Sequence, residues 1–372
     1  MKKYSELIKK LKNQKGVTAI FVVIVIVVLF GLAAYAIDIG YGLVTKNQLH
    51  NISDAASLAG ASRLWKIYKD NPSQATVTVP EIMDYVNHIK DSNTAAGANI
   101  VLNSGDVKLG KWDFSVTGTG DGFIETTQHP TAVRVTASRS ANTGHLPLAT
   151  LFARVLGINN MNPETTSTAA LSGKRETPNL PIPVGISEAR FSDPAFCGAS
   201  IRFSPSNDPA SCGGWNTYTS SPTSDSKVRA VINGLTDGTF TPPETIANQT
   251  SFNFSGGTLS NQTFIDFQTL FDKMKVINDH FLSDGTTLNP SPVDDDEDPT
   301  TWTTTVPVYF SADCANPHGS ILIVGFAKVT IFNVVGPPDK IIDARIVCGI
   351  EPGQGGGSNP FGVLEEGASL VK

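Results

Sequence analysis

Four cysteines, Cys197, Cys212, Cys314 and Cys348, are the side chains with the clearest chemistry to offer. They are even in number, and all lie in the second half of the chain. In an oxidising compartment such a set forms disulfides. Four cysteines permit three pairings, and pairing within local segments favours Cys197–Cys212 and Cys314–Cys348. A metal site is the weaker reading, because there is no C-x-x-C and no paired histidine nearby. His50, His88, His129, His145, His280 and His318 are scattered without metal-ligand spacing. The run Asp294-Asp295-Asp296-Glu297-Asp298 offers hard oxygen ligands for calcium, but it lacks the alternate spacing around a glycine that a calcium loop uses. It reads as a solvated loop. No G-x-S-x-G, Walker A or H-E-x-x-H motif occurs, and the glycines near 118–122 and 353–357 do not form G-x-G-x-x-G after a strand. The expectation is a chain with no catalytic residue, no metal and no cofactor, and a small-molecule ligand is not indicated.

Disulfides require export, and residues 17–37, VTAIFVVIVIVVLFGLAAYAI, supply a route. That stretch carries no charged side chain and, as a helix, covers a hydrocarbon layer of roughly 30 Å. Lys2, Lys3, Lys9, Lys10, Lys12 and Lys15 precede it against the single acid Glu6. The basic flank should stay in the cytoplasm, with the remainder outside. The first 37 residues hold six of the 28 basic side chains and one of the 34 acidic ones, so the exported part is strongly acidic. That balance argues against nucleic-acid binding, which needs a basic stripe. Three fates are open for residues 1–37: a retained signal anchor, a signal peptide cut after Ala36, or a prepilin-like leader cut after Gly16. At the fifth residue after Gly16 the chain has Phe21, where pilins carry Glu.

The helix should continue past the membrane, because proline is absent until Pro72. Leu49, Ile52, Ala56 and Ala59 recur at three- and four-residue spacing, and residues 55–62 are almost wholly small. Leu49, Ile52, Ala55, Ala56, Ala59 and Gly60 are the helix-packing candidates, either against the chain's own domain or against another subunit. Further on, 80–92 reads as a short helix, and 107–114, 131–137 and 164–171 read as strands. The spacing in 146–157 predicts an amphipathic helix ended by Gly157. Prolines near 174–184 suggest a boundary, and 198–261 reads as loop. An amphipathic helix is expected over 263–280. Strands are expected at 303–310, 320–334 and 340–348, with Pro337-Pro338 turning between the last two. The predicted class is α+β. A leader (1–16) and a transmembrane helix (17–37) precede a small-residue helix (38–70), an α+β segment (71–176) and a β-rich exported domain (177–372).

Asp38-Ile39-Gly40, Lys46-Asn47-Gln48-Leu49 and Asp54-Ala55-Ala56-Ser57-Leu58-Ala59-Gly60-Ala61, following an apolar helix, resemble the N-terminal segment of the TadE/TadG-like proteins of the Flp (tight adherence) pilus system. Residues 106–113, Ala132-Val133-Arg134-Val135, Leu156-Gly157 and Thr168-Ala169-Ala170 extend the resemblance to residue 171. The D-x-S-x-S motif of the von Willebrand factor A domain, present in some relatives, is absent here. The resemblance implies a non-enzymatic pilus-associated envelope protein held by one helix in the inner membrane, with its bulk outside and other pilus or pseudopilin subunits as partners. Incorporation into a surface fibre is an alternative end state. A competing reading is an exported adhesin or matrix-binding module whose β-rich half recognises a surface ligand.

Overall fold

The computed structural model describes residues 15–88, 94–116, 120–140, 146–178, 180–203, 212–256, 259–278, 300–351 and 357–372. The leader before Lys15, His145, His280, the acidic run Asp294–Asp298 and the glycines at 353–356 lie outside them.

The helix expected from the proline-free run forms as one rod, α1 (Lys15–Asp70), of 56 residues. It stops where Asn71 donates its N–H back to the Ile67 carbonyl and Pro72 follows. Its second half lies across a five-stranded antiparallel sheet. That sheet contains β1 (Val107–Trp112), β2 (Phe123–Glu125), β3 (Ala132–Ser138) and β4 (Glu164–Leu171). Small residues on β3 and β4, such as Ala137 and Ala169, let the helix approach, while Val133, Val135 and Leu171 fill the core. A short helix, α2 (Val79–Asn87), begins with Thr78 and Glu81 capping each other and Pro80 in its first turn. It packs Ile82 and Val86 into the same core.

The second half builds a larger sheet from β5 (Val184–Ser187), β6 (Ser200–Arg202), β7 (Gly213–Asn216), β8 (Ser251–Ser255), β9 (Trp302–Tyr309), β10 (His318–Val335) and β11 (Ile341–Val347). The strand order is β6-β11-β10-β8-β7-β5-β9, and β9 also pairs with β10, so five strands close into a ring. All pairs are antiparallel except β5–β9. Helices α3 (Asp225–Asp237) and α4 (Asn261–Asn278) bury Val228, Ile232, Phe264, Phe267 and Leu270 against Trp215 and Trp302. The last strand, β12 (Ala368–Leu370), returns to the edge of the first sheet and pairs with β4. The class is α+β, with a β-rich C-terminal region.

Two expectations are corrected. Residues 146–157 do not form an amphipathic helix. They form a two-residue strand at Leu148–Ala149 and a 3-10 turn at Ala153–Leu156, because backbone N–H groups that a helix would use are taken by a carboxylate on α1. Gly157 does end the turn, in the left-handed conformation. The loop-like 198–261 also holds β6, β7, β8 and all of α3, whose apolar stripe Val228, Val231 and Ile232 sits within a Ser/Thr/Asn-rich background.

Candidate functional site

The first half of α1 stands clear of the rest of the chain. Side chains from Thr18 to Ala33 are exposed, including Phe21, Val28 and Phe30 at 72% for the last. Among the described residues this is the one helix long and apolar enough to cross a membrane. Such a surface is unstable in water and fits a lipid or an apolar partner.

The second half of α1 is docked. Leu49, Ile52, Ala56 and Gly60 are buried, while Ala55 and Ala59 lie half-buried at the margin. A Cβ placed on Gly60 would sit 2.8 Å from Cγ1 of Val133, so only glycine permits this approach. A polar seam accompanies the apolar one. Ser53 and Ser167 hydroxyls are 2.8 Å apart, and Ser167 donates to Asp54. Gln48 accepts the Ala96 N–H at 2.8 Å. The small-residue stripe therefore faces the chain's own sheet.

Asp38 lies between these halves and is buried. Its carboxylate accepts the backbone N–H groups of Leu151, Phe152 and Ala153, at 2.8, 2.9 and 2.5 Å. These donors begin the turn at 151–158, which is closed by Thr150 N–H to the Asn159 carbonyl and by Leu148 pairing with Met161. The sequence marks Asp38 only as a polar stop at the membrane edge. An acid one residue beyond a 21-residue apolar run needs donors, and that was the available signal.

The disulfide pairing corrects a further sequence-derived expectation. The bonds join Cys197 to Cys348 and Cys212 to Cys314, across 151 and 102 residues. Strand β6 pairs antiparallel with β11, which brings the residues before β6 to those after β11. Likewise β5 lies between β7 and β9, so Cys212 before β7 meets Cys314 beyond β9. Local proximity in sequence could not reveal either adjacency.

The Cys197–Cys348 bond lines a cleft of about 420 Å³ between the two sheets. Trp112, Phe191 and Phe361 form apolar walls, and Lys111, His129 and Glu188 supply titratable groups. Burial pushes the Glu188 carboxyl up, opposed by the Ser311 N–H at 3.2 Å. Burial pulls His129 down, opposed by its 2.5 Å contact with the Pro194 carbonyl; burial also pulls Lys111 down. That contact occupies Nε2 of His129, and the Ser311 hydroxyl donates to the Asp313 carbonyl. The cleft thus presents a mainly apolar recess with a few polar groups, and without a nucleophile–base pair among the described residues. Nor do three His, Cys, Asp or Glu side chains converge anywhere in them.

Comparison with protein families now bears on the docked rod and its sheet. The family described as Flp pilus-assembly TadE/G-like matches residues 16–63, and the one described as Tad-like Flp pilus-assembly matches 56–169. Residues 16–169 therefore match the TadE/TadG-like and Tad-like Flp pilus-assembly family models. No curated protein and no solved structure matches it. The matched regions indicate a pilus-assembly-related role, and such families are not enzymes in general. The TadE/TadG-like region includes α1, α2, β1 to β3 and nearly all of β4, with the Asp38 contact joining its two matched stretches. The ring of strands, both disulfides and most of the cleft lining lie beyond it.

Proposed function

We propose that this TadE/TadG-like protein is a non-enzymatic, membrane-anchored envelope component of a Tad/Flp-type pilus apparatus. One observation carries the reading: the exposed apolar half of α1 falls inside the family-matched segment. In this reading residues 1–16 stay in the cytoplasm, 17–37 cross the inner membrane, and everything from 38 onward is outside. The two disulfides support an oxidising location for the C-terminal half. Because Leu49, Ile52, Ala56 and Gly60 already face the chain's own sheet, contacts with other pilus or pseudopilin subunits fall to the exposed half of α1 and to the outer surface of the ectodomain. The region 38–176 acts as the stalk and first layer, and 177–372 as the distal, disulfide-bonded layer.

Protease added to intact spheroplasts should digest the ectodomain, and cells lacking the gene should lose the fibre. An ectodomain protected until lysis reverses the orientation. Unchanged fibres after deletion remove the pilus role.

A further inference from the structure

The turn beside Asp38 has the opposite character from a normal loop tip. Its backbone is tied down, while its apolar side chains point outward. Leu151, Phe152, Val155 and Ile158 are exposed, Val155 at 89%, and Leu146 at its base is 79% exposed. The backbone is held by Asp38 on three N–H groups, by Gly157 N–H to the Arg154 carbonyl, and by Ile158 N–H to the Ala153 carbonyl. Buried Arg139 clamps the Leu146 carbonyl at 3.1 Å, and the Thr150 hydroxyl donates to the Ile158 carbonyl at 2.6 Å. A tip most of whose backbone N–H groups are paired internally enters an apolar medium at lower cost than an ordinary loop.

Its height on α1 decides which medium it meets. The tip covers a face on which Ala34 and Gly42 are half-buried and Asp38 and Thr45 buried, with Met161 near Gly42. It therefore overlaps the last turn of the apolar run. The other faces of α1 at that level remain open and apolar: Tyr35, Ile37, Ile39, Leu43 and Val44. Together they make one continuous apolar collar. Arg154, exposed on the tip, supplies a cation of the kind that reaches lipid phosphates.

We propose that the 151–158 tip inserts into the outer leaflet beside the membrane helix, giving the ectodomain a second lipid contact that fixes its tilt and height. The occupant of the collar is lipid, since the patch is continuous with the surface that crosses the bilayer. This rests on residues 17–37 spanning the membrane.

The test uses the full chain in vesicles with nitroxide-labelled lipid. An NBD fluorophore is placed on Val155→Cys, on Leu29→Cys within the helix, or on Ile124→Cys at an exposed position of β2, without reductant so that native disulfides persist. Nitroxides in the outer acyl region should quench the Val155 probe severalfold more than the exposed Ile124 probe, and mid-bilayer nitroxides should quench Leu29. If Leu29 is quenched and Val155 behaves like Ile124, the tip is in water and the proposal fails while the anchor stands. If Val155 is shielded from water but not quenched by lipid, protein covers the collar and the proposal fails. If Leu29 is not quenched, the anchor and the proposal fail together.

Discussion

The Asp38 carboxylate accepts the Leu151 N–H at 2.8 Å, linking positions 113 residues apart in sequence. With the Phe152 and Ala153 N–H groups on the same carboxylate, it fastens the end of the apolar rod to the folded domain. The joint is polar, although exposed apolar side chains (Leu151, Phe152, Ile37 and Ile39) surround it.

Removing the acid should therefore loosen the tip. Asp38→Leu leaves three N–H groups without their acceptor, and the buried Ala153 N–H loses most by it. Asp38→Asn keeps one acceptor oxygen and should fall between. Amide exchange at Leu151, Phe152 and Ala153 in the reconstituted protein should quicken in the order wild type, Asn, Leu. Equal protection in all three would show that the carboxylate holds nothing.

The crossed disulfides predict a definite peptide map. Digestion without reductant should yield fragments linking Cys197 with Cys348 and Cys212 with Cys314. A fragment joining Cys197 to Cys212 would overturn the strand adjacency as well as the pairing. Replacing either pair with serine should cost about 2–5 kcal/mol, because each bond closes a long loop. Thermal unfolding of the paired variants measures it.

What the sequence revealed and what it concealed divide along contact range. The proline-free rod and the strands Val107–Trp112, Ala132–Ser138 and Glu164–Leu171 were readable, since their signal lies within a few neighbouring residues. The family region was readable for the same reason, being a fixed order of types along α1 and β1 to β4. The pairing of Ala368–Leu370 with Ala169–Leu171 was not, because three residues at the end of a chain carry no register. The tip at 151–158 was misread as a helix because Leu148, Leu151, Phe152 and Val155 repeat at helical spacing. There the apolar residues face outward, and the backbone is directed by a carboxylate more than a hundred residues upstream. Among the packing candidates, spacing identified the buried stripe, but not that β3 and β4 would cover it.

Gly60 tests that covering. Gly60→Leu drives a side chain into Val133 and Val86, where a Cβ alone would already stand 2.8 and 3.3 Å from their methyls. Overpacking of this kind costs about 1–3 kcal/mol, which outweighs the gain of about 1 kcal/mol from removing glycine from a helix. Ala59→Leu, at the half-buried margin, should change stability by no more than about 0.5 kcal/mol. Chemical denaturation of the two variants should separate them clearly. If they are alike, α1 does not dock at Gly60.

Acid should weaken the first sheet at one identifiable pair. Arg134 on β3 grips Asp121 with two bonds, of 2.9 and 2.5 Å, while stacking over Phe123 at 4.2 Å. The guanidinium holds the Asp121 carboxyl at about 2, with Lys372 adding a smaller pull. An unfolded aspartate titrates near 3.9. The folded state therefore keeps this carboxylate ionised where the unfolded state takes up a proton. The pair's contribution is complete above about pH 4–5 and disappears as pH falls toward 2. Asp121 is 47% exposed, so after screening the contribution is about 1 kcal/mol or less. Asp121→Asn should be the less stable protein at pH 6, and its deficit should shrink steadily as pH falls below 4. A deficit that stays constant down to pH 2 would mean that the pair contributes packing rather than charge, and that the Phe123 stack alone secures Arg134.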